Sequence, residues 1–457
     1  MNLDFIPEST RAAGLGALMK GAGALTRVLP IPQPTLLIGP GSSRRLGQAI
    51  AAFGHEKVLV VTDKVIVRLG LLQGLTDALT EGGAEYVVFD EITPDAPIPL
   101  IERGIAAFRD HQCDALVAVG GGSSIDAAKA IAVAIANPSR SLRALAGYYK
   151  GLRTPMPVYA VPTTAGTGSE VTVAAVIADP ERSSKLVIVD TRIVPRMAAL
   201  DPELATGLPP AITAATGIDA LTHAVEAFIG NWATAQTDAL ALAAVGMIFS
   251  NLRTACRDGG NLQARENMAL ASTWAGMAFT RANVGYVHAI AHQFGGLYHT
   301  PHGLANAIML PHVLRFSAPA VTTQLAQLAV RAGLGEATED EEELAGKFID
   351  GVCTLNRDIG IPTTLETLRE KDIPALARAA LQEAHTGYPV PRYMTQAQCE
   401  EMIRAVLPSA GKDDQAPRKA ARRTATKTAA KAGRKAAPKT SAGARAASGR
   451  KRRSAQA

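Results

Sequence analysis

Nine of the 457 residues are histidine, and five of the nine fall between His288 and His312. His288 and His292 are four apart, as are Asp219 and His223, and that separation puts two side chains on one face of a helix. His302 follows in Pro301-His302-Gly303, beyond the pair Gly295-Gly296, where a bend is expected. Imidazole is the usual nitrogen ligand of transition metals and the side chain best placed to move protons near neutral pH. A lone histidine is more often a hydrogen-bonded core residue than a ligand. One carboxylate with two or three imidazoles is different: it is a nitrogen-rich set suited to Fe(II) or Zn(II), and unsuited to Mg(II) or Ca(II), which prefer oxygen. Val284, Val287, Ile290 and Ala291 make the surroundings of His288 and His292 apolar. Uncompensated imidazoles would be costly there, and a metal ion supplies the compensation.

A second stretch with chemical potential lies upstream. The apolar run Ala115–Val119 leads into Gly120-Gly121-Gly122-Ser123-Ser124-Ile125-Asp126 and then into a helix from Ala127. Glycines let a backbone approach a ligand closely, and the free N–H groups of a helix start attract phosphate. The spacing is not Gly-x-Gly-x-x-Gly, so a tight turn without a ligand is the competing reading. Further on, Pro162-Thr163-Thr164-Ala165-Gly166-Thr167-Gly168-Ser169-Glu170 offers hydroxyls and glycines in one loop, a set of hydrogen bonds for phosphate or ribose.

The elements that must position these residues follow from periodicity. Residues 1–34 read as an arm. From Thr35 to about residue 202 short apolar runs alternate with helical stretches, and Lys57–Asp63 has the pattern of a buried parallel strand delivering an acid at its carboxyl end. Ser42 and Ser43 are expected to cap a helix over Arg44–Ile50. Repeated βαβ units predict a doubly wound, mostly parallel sheet with ligands at the carboxyl ends of its strands. Residues 203–410 carry helical spacing only and predict an all-α domain. Residues 411–457 are a Lys/Arg/Ala-rich tail with almost no large apolar residue, expected to stay disordered.

Charge divides the same way. From Lys412 onward fifteen Lys and Arg face two acids, so the overall +6 hides an acidic body and a strongly basic tail. Without interleaved aromatics the tail suits phosphate attraction to nucleic acid or another polyanion, or inert solvation. The four cysteines are scattered, which suggests neither a disulfide framework nor a thiolate zinc site. Unbroken apolar runs stay short of a membrane span, and the acidic start Met1-Asn2-Leu3-Asp4 is unlike a secretory signal, so no membrane and a cytoplasmic location are expected.

Gly-Gly-Gly-Ser, Pro-Thr-Thr-Ala-Gly-Thr-Gly-Ser-Glu, Gly-Ile-Asp-Ala-Leu-Thr-His and His-Ala-Ile-Ala-His through Pro-His-Gly together resemble the iron-dependent (group III) alcohol dehydrogenases, over about residues 35 to 408. The resemblance implies a metal held by Asp219, His223, His288 and His302, with His292 near the nicotinamide. It implies NAD on Asp63, Gly121, Gly122, Ser123, Asp126, Thr163, Thr164, Thr167 and Lys185. Asp95 is a departure, since the family often carries asparagine there. An acid at Asp63 would accept from ribose hydroxyls and repel a 2′-phosphate, so NAD is expected over NADP. The implied reaction is hydride transfer between a primary alcohol or aldehyde and NAD, with Fe(II) expected before Zn(II), His292 as proton relay or pocket wall, and a homo-oligomeric assembly. His299 and His312 are expected to be structural. Oxo-acid reductases or transhydrogenases of the same fold, akin to maleylacetate reductase, are the alternative; Arg281 is the one arginine near the metal motifs that could hold an acid.

Overall fold

The computed structural model describes residues 29–182 and 184–408. The tail expectation lies outside the described residues, as does most of the arm. The described strands are β1 (Thr35–Ile38), β2 (Lys57–Val61), β3 (Glu85–Phe89), β4 (Ala115–Gly120), β5 (Gly147–Tyr148), β6 (Val158–Pro162), β7 (Ala174–Asp179), β8 (Ser184–Val189) and β9 (Met197–Leu200). Six of them form one parallel sheet in the order β1-β9-β6-β4-β2-β3. β4 is buried along its whole length and β2 along all but its first residue. Such continuous burial is what apolar runs without polar alternation require, and separate apolar clusters cover the two faces of the sheet. The chain steps outward from β2 to β3 and then returns to the other side of β2 for β4. Strand order therefore reverses between β2 and β4, and a parallel sheet opens a crevice at the carboxyl ends of such a pair. Thr62-Asp63 and Gly120-Gly121-Gly122 occupy those ends.

One local expectation is corrected. The first helix runs over Ser42–Ala52 behind Gly41, whose φ of 69° is left-handed, and no side chain caps it. Ser43 instead gives its N–H and hydroxyl to Asp201 at 3.0 and 2.6 Å, tying the helix to the end of β9. β8 pairs antiparallel with β7 and parallel with β5, and the three form a small separate sheet.

From Pro210 the described chain is helical, as the loss of strand patterns predicts. The Pro210–Ile229 helix is buried on nearly every face and runs through the centre of this half. The 23-residue Ala235–Arg257 helix is apolar and long enough to cross a membrane. Val245, Ile248, Phe249 and Leu252 on it belong to the core of the helical half, which accounts for that composition.

Candidate functional site

Asp219 and His223 sit four apart on the central helix, His288 on the Tyr286–Tyr298 helix, and His302 at the first residue of the His302–Ser317 helix. One ligand atom from each lies within 4.8 Å of all the others. Gly303 permits this closeness, because a Cβ there would stand 2.4 Å from the Ala215 carbonyl oxygen on the central helix. Burial lowers the pKa of all three imidazoles, His302 to about 4 against the attraction of Asp219, and His288 well below the ordinary range. At neutral pH they are uncharged and keep a lone pair. His288 Nδ1 donates to Glu226 at 2.6 Å and His223 Nδ1 to the Gly166 carbonyl at 3.3 Å, which leaves Nε2 of each as the free acceptor.

The side-chain amide of Asn306 reports where those lone pairs converge. Its Nδ2 lies 2.7 Å from Asp219 Oδ1 and 3.2 Å from Nε2 of both His288 and His302, while its buried Oδ1 has no partner. A donor carrying partial positive charge thus stands among three acceptors, meeting the electrostatic demand that a cation would meet in full. A carboxylate and three neutral imidazoles aimed at one point fit a divalent transition metal. Asp219, His223 and His288 are buried, whereas the His302 side chain is 32% exposed, so the cluster is open on the His302 side.

The expected dinucleotide residues gather at the reversal between β2 and β4. Gly121 is the N-cap of the Gly122–Ala136 helix and no side chain fills that position, so the first N–H groups are left for a ligand. Thr163 donates its N–H to Gly120, and a Cβ on Gly122 would stand 2.8 Å from Thr167 Cγ2, so the two loops close on each other at a glycine. A Cβ on Gly121 would touch Thr164 Oγ1 at 3.4 Å. Asp63 caps the Lys64–Arg68 helix through Oδ1, which accepts from Val65 and Ile66, and keeps Oδ2 toward Gly120. Ser123 Oγ accepts the N–H of Asp95, and Asp95 Oδ1 pairs with Lys185 Nζ at 2.8 Å. Asp126 accepts from the Ser169 hydroxyl at 2.5 Å and the Val176 N–H at 3.0 Å, committing one oxygen to the threonine loop and the other to β7. A small open cleft lies between Thr163, Thr164 and Ala165 on one side and Thr213, Thr216 and Arg265 of the helical half on the other.

His292 is not among the converging ligands. Its ring stacks on His302 at 5.3 Å, and its Nδ1 faces Glu383 at 2.6 Å. The bend expected at Gly295-Gly296 is absent, since both glycines are helical. The chain turns at His299 instead, whose φ is 55°, with Thr300 N–H returning to Phe294 O and His299 N–H to Gly295 O. Arg281 gives an N–H to the Leu29 carbonyl.

Sequence reasoning missed four residues. Glu226 accepts from Gly285 N–H, Val287 N–H and His288 Nδ1 at 2.8, 2.7 and 2.6 Å. It lies seven residues after Asp219 and three after His223, on their helix face, and that spacing was the available signal. Lys129 is fully buried, donates to acceptors of Ser169, Thr172 and Ala174, and is pushed by burial down to about 8. Its signal was a lone cation in the apolar run from Ala127 to Ala136. Asn306 follows His302 by four residues on one helix, which was its signal. Glu383 had none toward His292, which lies ninety-one residues before it.

Residues 33–202 match the family described as iron-containing alcohol dehydrogenase, and residues 213–407 match the Fe-containing alcohol dehydrogenase family, C-terminal. The 1,3-propanediol dehydrogenase of Klebsiella pneumoniae is 44% identical over 352 residues, covering 76% of this chain and 90% of that one. The lactaldehyde reductase of Escherichia coli (strain K12) is 40% identical over 356 residues, 77% of this chain and 93% of that one. A crystal structure of a 1,3-propanediol oxidoreductase superposes with a TM-score of 0.80 at 40% identity, over 83% of this chain and all of the other. With matches of this extent in both halves, and the ligand cluster between helices of the second, the chain belongs to the iron-containing alcohol dehydrogenase family.

Proposed function

We propose that the protein interconverts a primary alcohol and its aldehyde with NAD as hydride partner, using one divalent ion held by Asp219, His223, His288 and His302. The observation that carries the reading is the convergence of three neutral imidazoles and a carboxylate, with one of those imidazoles bonded to Gly166 of the threonine loop. The donor set favours Fe(II), with Zn(II) second. Bound there, such an ion acts as a Lewis acid that lowers the pKa of an alcohol hydroxyl or polarises an aldehyde.

The chain's own residues do the rest. The open start of the Gly122–Ala136 helix receives the pyrophosphate, with Gly121, Ser123, Thr163, Thr164 and Thr167 around it and Lys185 as a point charge. Asp63 Oδ2 accepts from ribose hydroxyls and repels a 2′-phosphate, which favours NAD over NADP. His292 would take the hydroxyl proton at Nε2, and a dinucleotide bound in this crevice would supply the hydride acceptor. The product is the aldehyde with the reduced dinucleotide.

The test is NAD-linked oxidation of short primary alcohols after reconstitution with Fe(II), in the parent protein and in His302→Ala. Loss of activity together with loss of bound iron in the variant is the expected result. Equal activity overturns the ligand assignment.

A further inference from the structure

His292 raises a question that the proposed function leaves open: what holds a ring that is not a metal ligand in one orientation beside the ligands. The answer lies on the Ile373–Gly387 helix, some ninety residues away in sequence. Glu383 Oε1 accepts from His292 Nδ1 at 2.6 Å and from the Tyr388 hydroxyl at 2.5 Å, while Oε2 accepts from Gln293 Nε2 at 2.9 Å. Gln293 is itself fixed by a second bond, to the Ala289 carbonyl at 3.1 Å. Every group around the carboxyl is a donor. Burial alone would raise its pKa, but the bonds from His292, Tyr388 and Gln293 outweigh burial and hold it below the usual carboxylate range.

An ionised Glu383 can only accept, so the proton between it and His292 belongs to Nδ1. Nε2 then carries the lone pair and makes no hydrogen bond among the described residues. The ring has ring neighbours as well: it stacks on His302 with an interplanar angle of 18° and meets His288 edge-on at 6.0 Å. His292 is 31% exposed and His302 is 32% exposed, so both stand on the open side of a cluster whose other members are closed off.

We propose that Glu383, braced by Gln293 and Tyr388, is the positioning residue that fixes His292 as the Nδ1–H tautomer and presents Nε2 as the acceptor for the substrate hydroxyl proton. The inference rests on the dehydrogenase reading above and adds to it the group that sets tautomer and ring angle. In alcohol oxidation the O–H bond breaks and its proton goes to Nε2. The C–H electron pair leaves as hydride to the oxidised dinucleotide, and the imidazolium formed is stabilised by Glu383 through Nδ1–H, which Glu383 does not remove.

The test is a double-mutant cycle on the iron-loaded, full-length enzyme with Glu383→Ala and His292→Ala, read as kcat, KM for NAD, iron content and solvent deuterium isotope effect. Glu383→Ala should lower kcat by at least about tenfold, leave iron content and KM for NAD within about twofold, and raise the solvent isotope effect as the proton step becomes limiting. In the His292→Ala background the same change should lower kcat no further. Glu383→Gln keeps the size of the side chain and one oxygen for Nδ1–H and the tyrosine hydroxyl, so it guards against a misfolded alanine variant. It should keep more kcat than Glu383→Ala and still show the raised isotope effect. Losses that add in the double variant, or loss of iron alongside kcat, overturn the positioning role while leaving the dehydrogenase reading intact. A wild-type kcat in His292→Ala overturns the proton role of His292 and this proposal with it. The dehydrogenase reading stands or falls separately, on His302→Ala.

Discussion

Replacing Glu226 by glutamine keeps the shape of a buried side chain and changes only its hydrogen-bonding. The carboxylate faces three N–H donors, with Val287 on Oε1 and Gly285 and His288 together on Oε2. Burial pushes its pKa up to about 8 against the pull of the three donors, each of which bonds the ionised form. Glutamine must set its NH₂ group against one side or the other. Facing Val287 it loses one donor; facing the second oxygen site it loses two. The cheaper arrangement leaves one buried N–H unpaired, a cost of about 1–3 kcal/mol. In that arrangement His288 still donates from Nδ1, but to a neutral oxygen, so Nε2 becomes a weaker base toward the ion. Mutation of such a partner typically costs about 10–100-fold in metal affinity, which removes up to a further ~1.4–2.7 kcal/mol of metal-derived stabilisation. Urea denaturation of the metal-free protein isolates the first effect, and competition with a chelator for Fe(II) measures the second. A variant with unchanged urea midpoint and unchanged iron affinity would refute the claim that Glu226 orients His288.

Three further outcomes follow from other contacts. Gly122→Ala forces a Cβ to 2.8 Å from Thr167 Cγ2, so the two loops must part at about 1–3 kcal/mol, and KM for NAD should rise with iron content unchanged; an unaltered KM excludes the glycine loop from the dinucleotide site. Lys129→Met removes the donor shared by Ser169, Thr172 and Ala174 and should lower stability by on the order of 3 kcal/mol in urea denaturation, far beyond a surface Lys→Met change. Asp95→Asn frees Lys185 from a partly exposed ion pair at 2.8 Å. Such pairs contribute up to about 1 kcal/mol, so KM for NAD should fall by no more than about fivefold, and a rise would mean that Asp95 itself holds the dinucleotide.

What could be read from the sequence, and what could not, divides by the range of the interaction. Asp219 with His223, and His288 with His292, are legible as pairs because a helix converts a spacing of four into one face, with no knowledge of the rest of the fold. The same rule places both members of a pair near the site without saying which way each points. His288 turns Nε2 to the cluster because Glu226 holds its other nitrogen, and His292 is turned differently because Glu383 holds its own. Both determinants come from packing. Glu226 shares the face of Asp219 and His223 and was within reach of the periodicity argument, whereas Glu383 arrives from a helix whose own sequence carries no mark of the site. The turn before His302 was misplaced for a related reason. Gly295 and Gly296 are poor helix formers, but the helix continues through them to a left-handed His299, closed by bonds to Phe294 and Gly295. Local preference is worth about 1 kcal/mol per glycine, less than the burial of Tyr286, Ile290 and Phe294 on the same helix, so tertiary packing decided where the chain turned. The chemistry of a residue type is legible in sequence, while the direction in which it acts is set by contacts from elsewhere in the fold, which is why the tautomer of His292 has to be tested at Glu383.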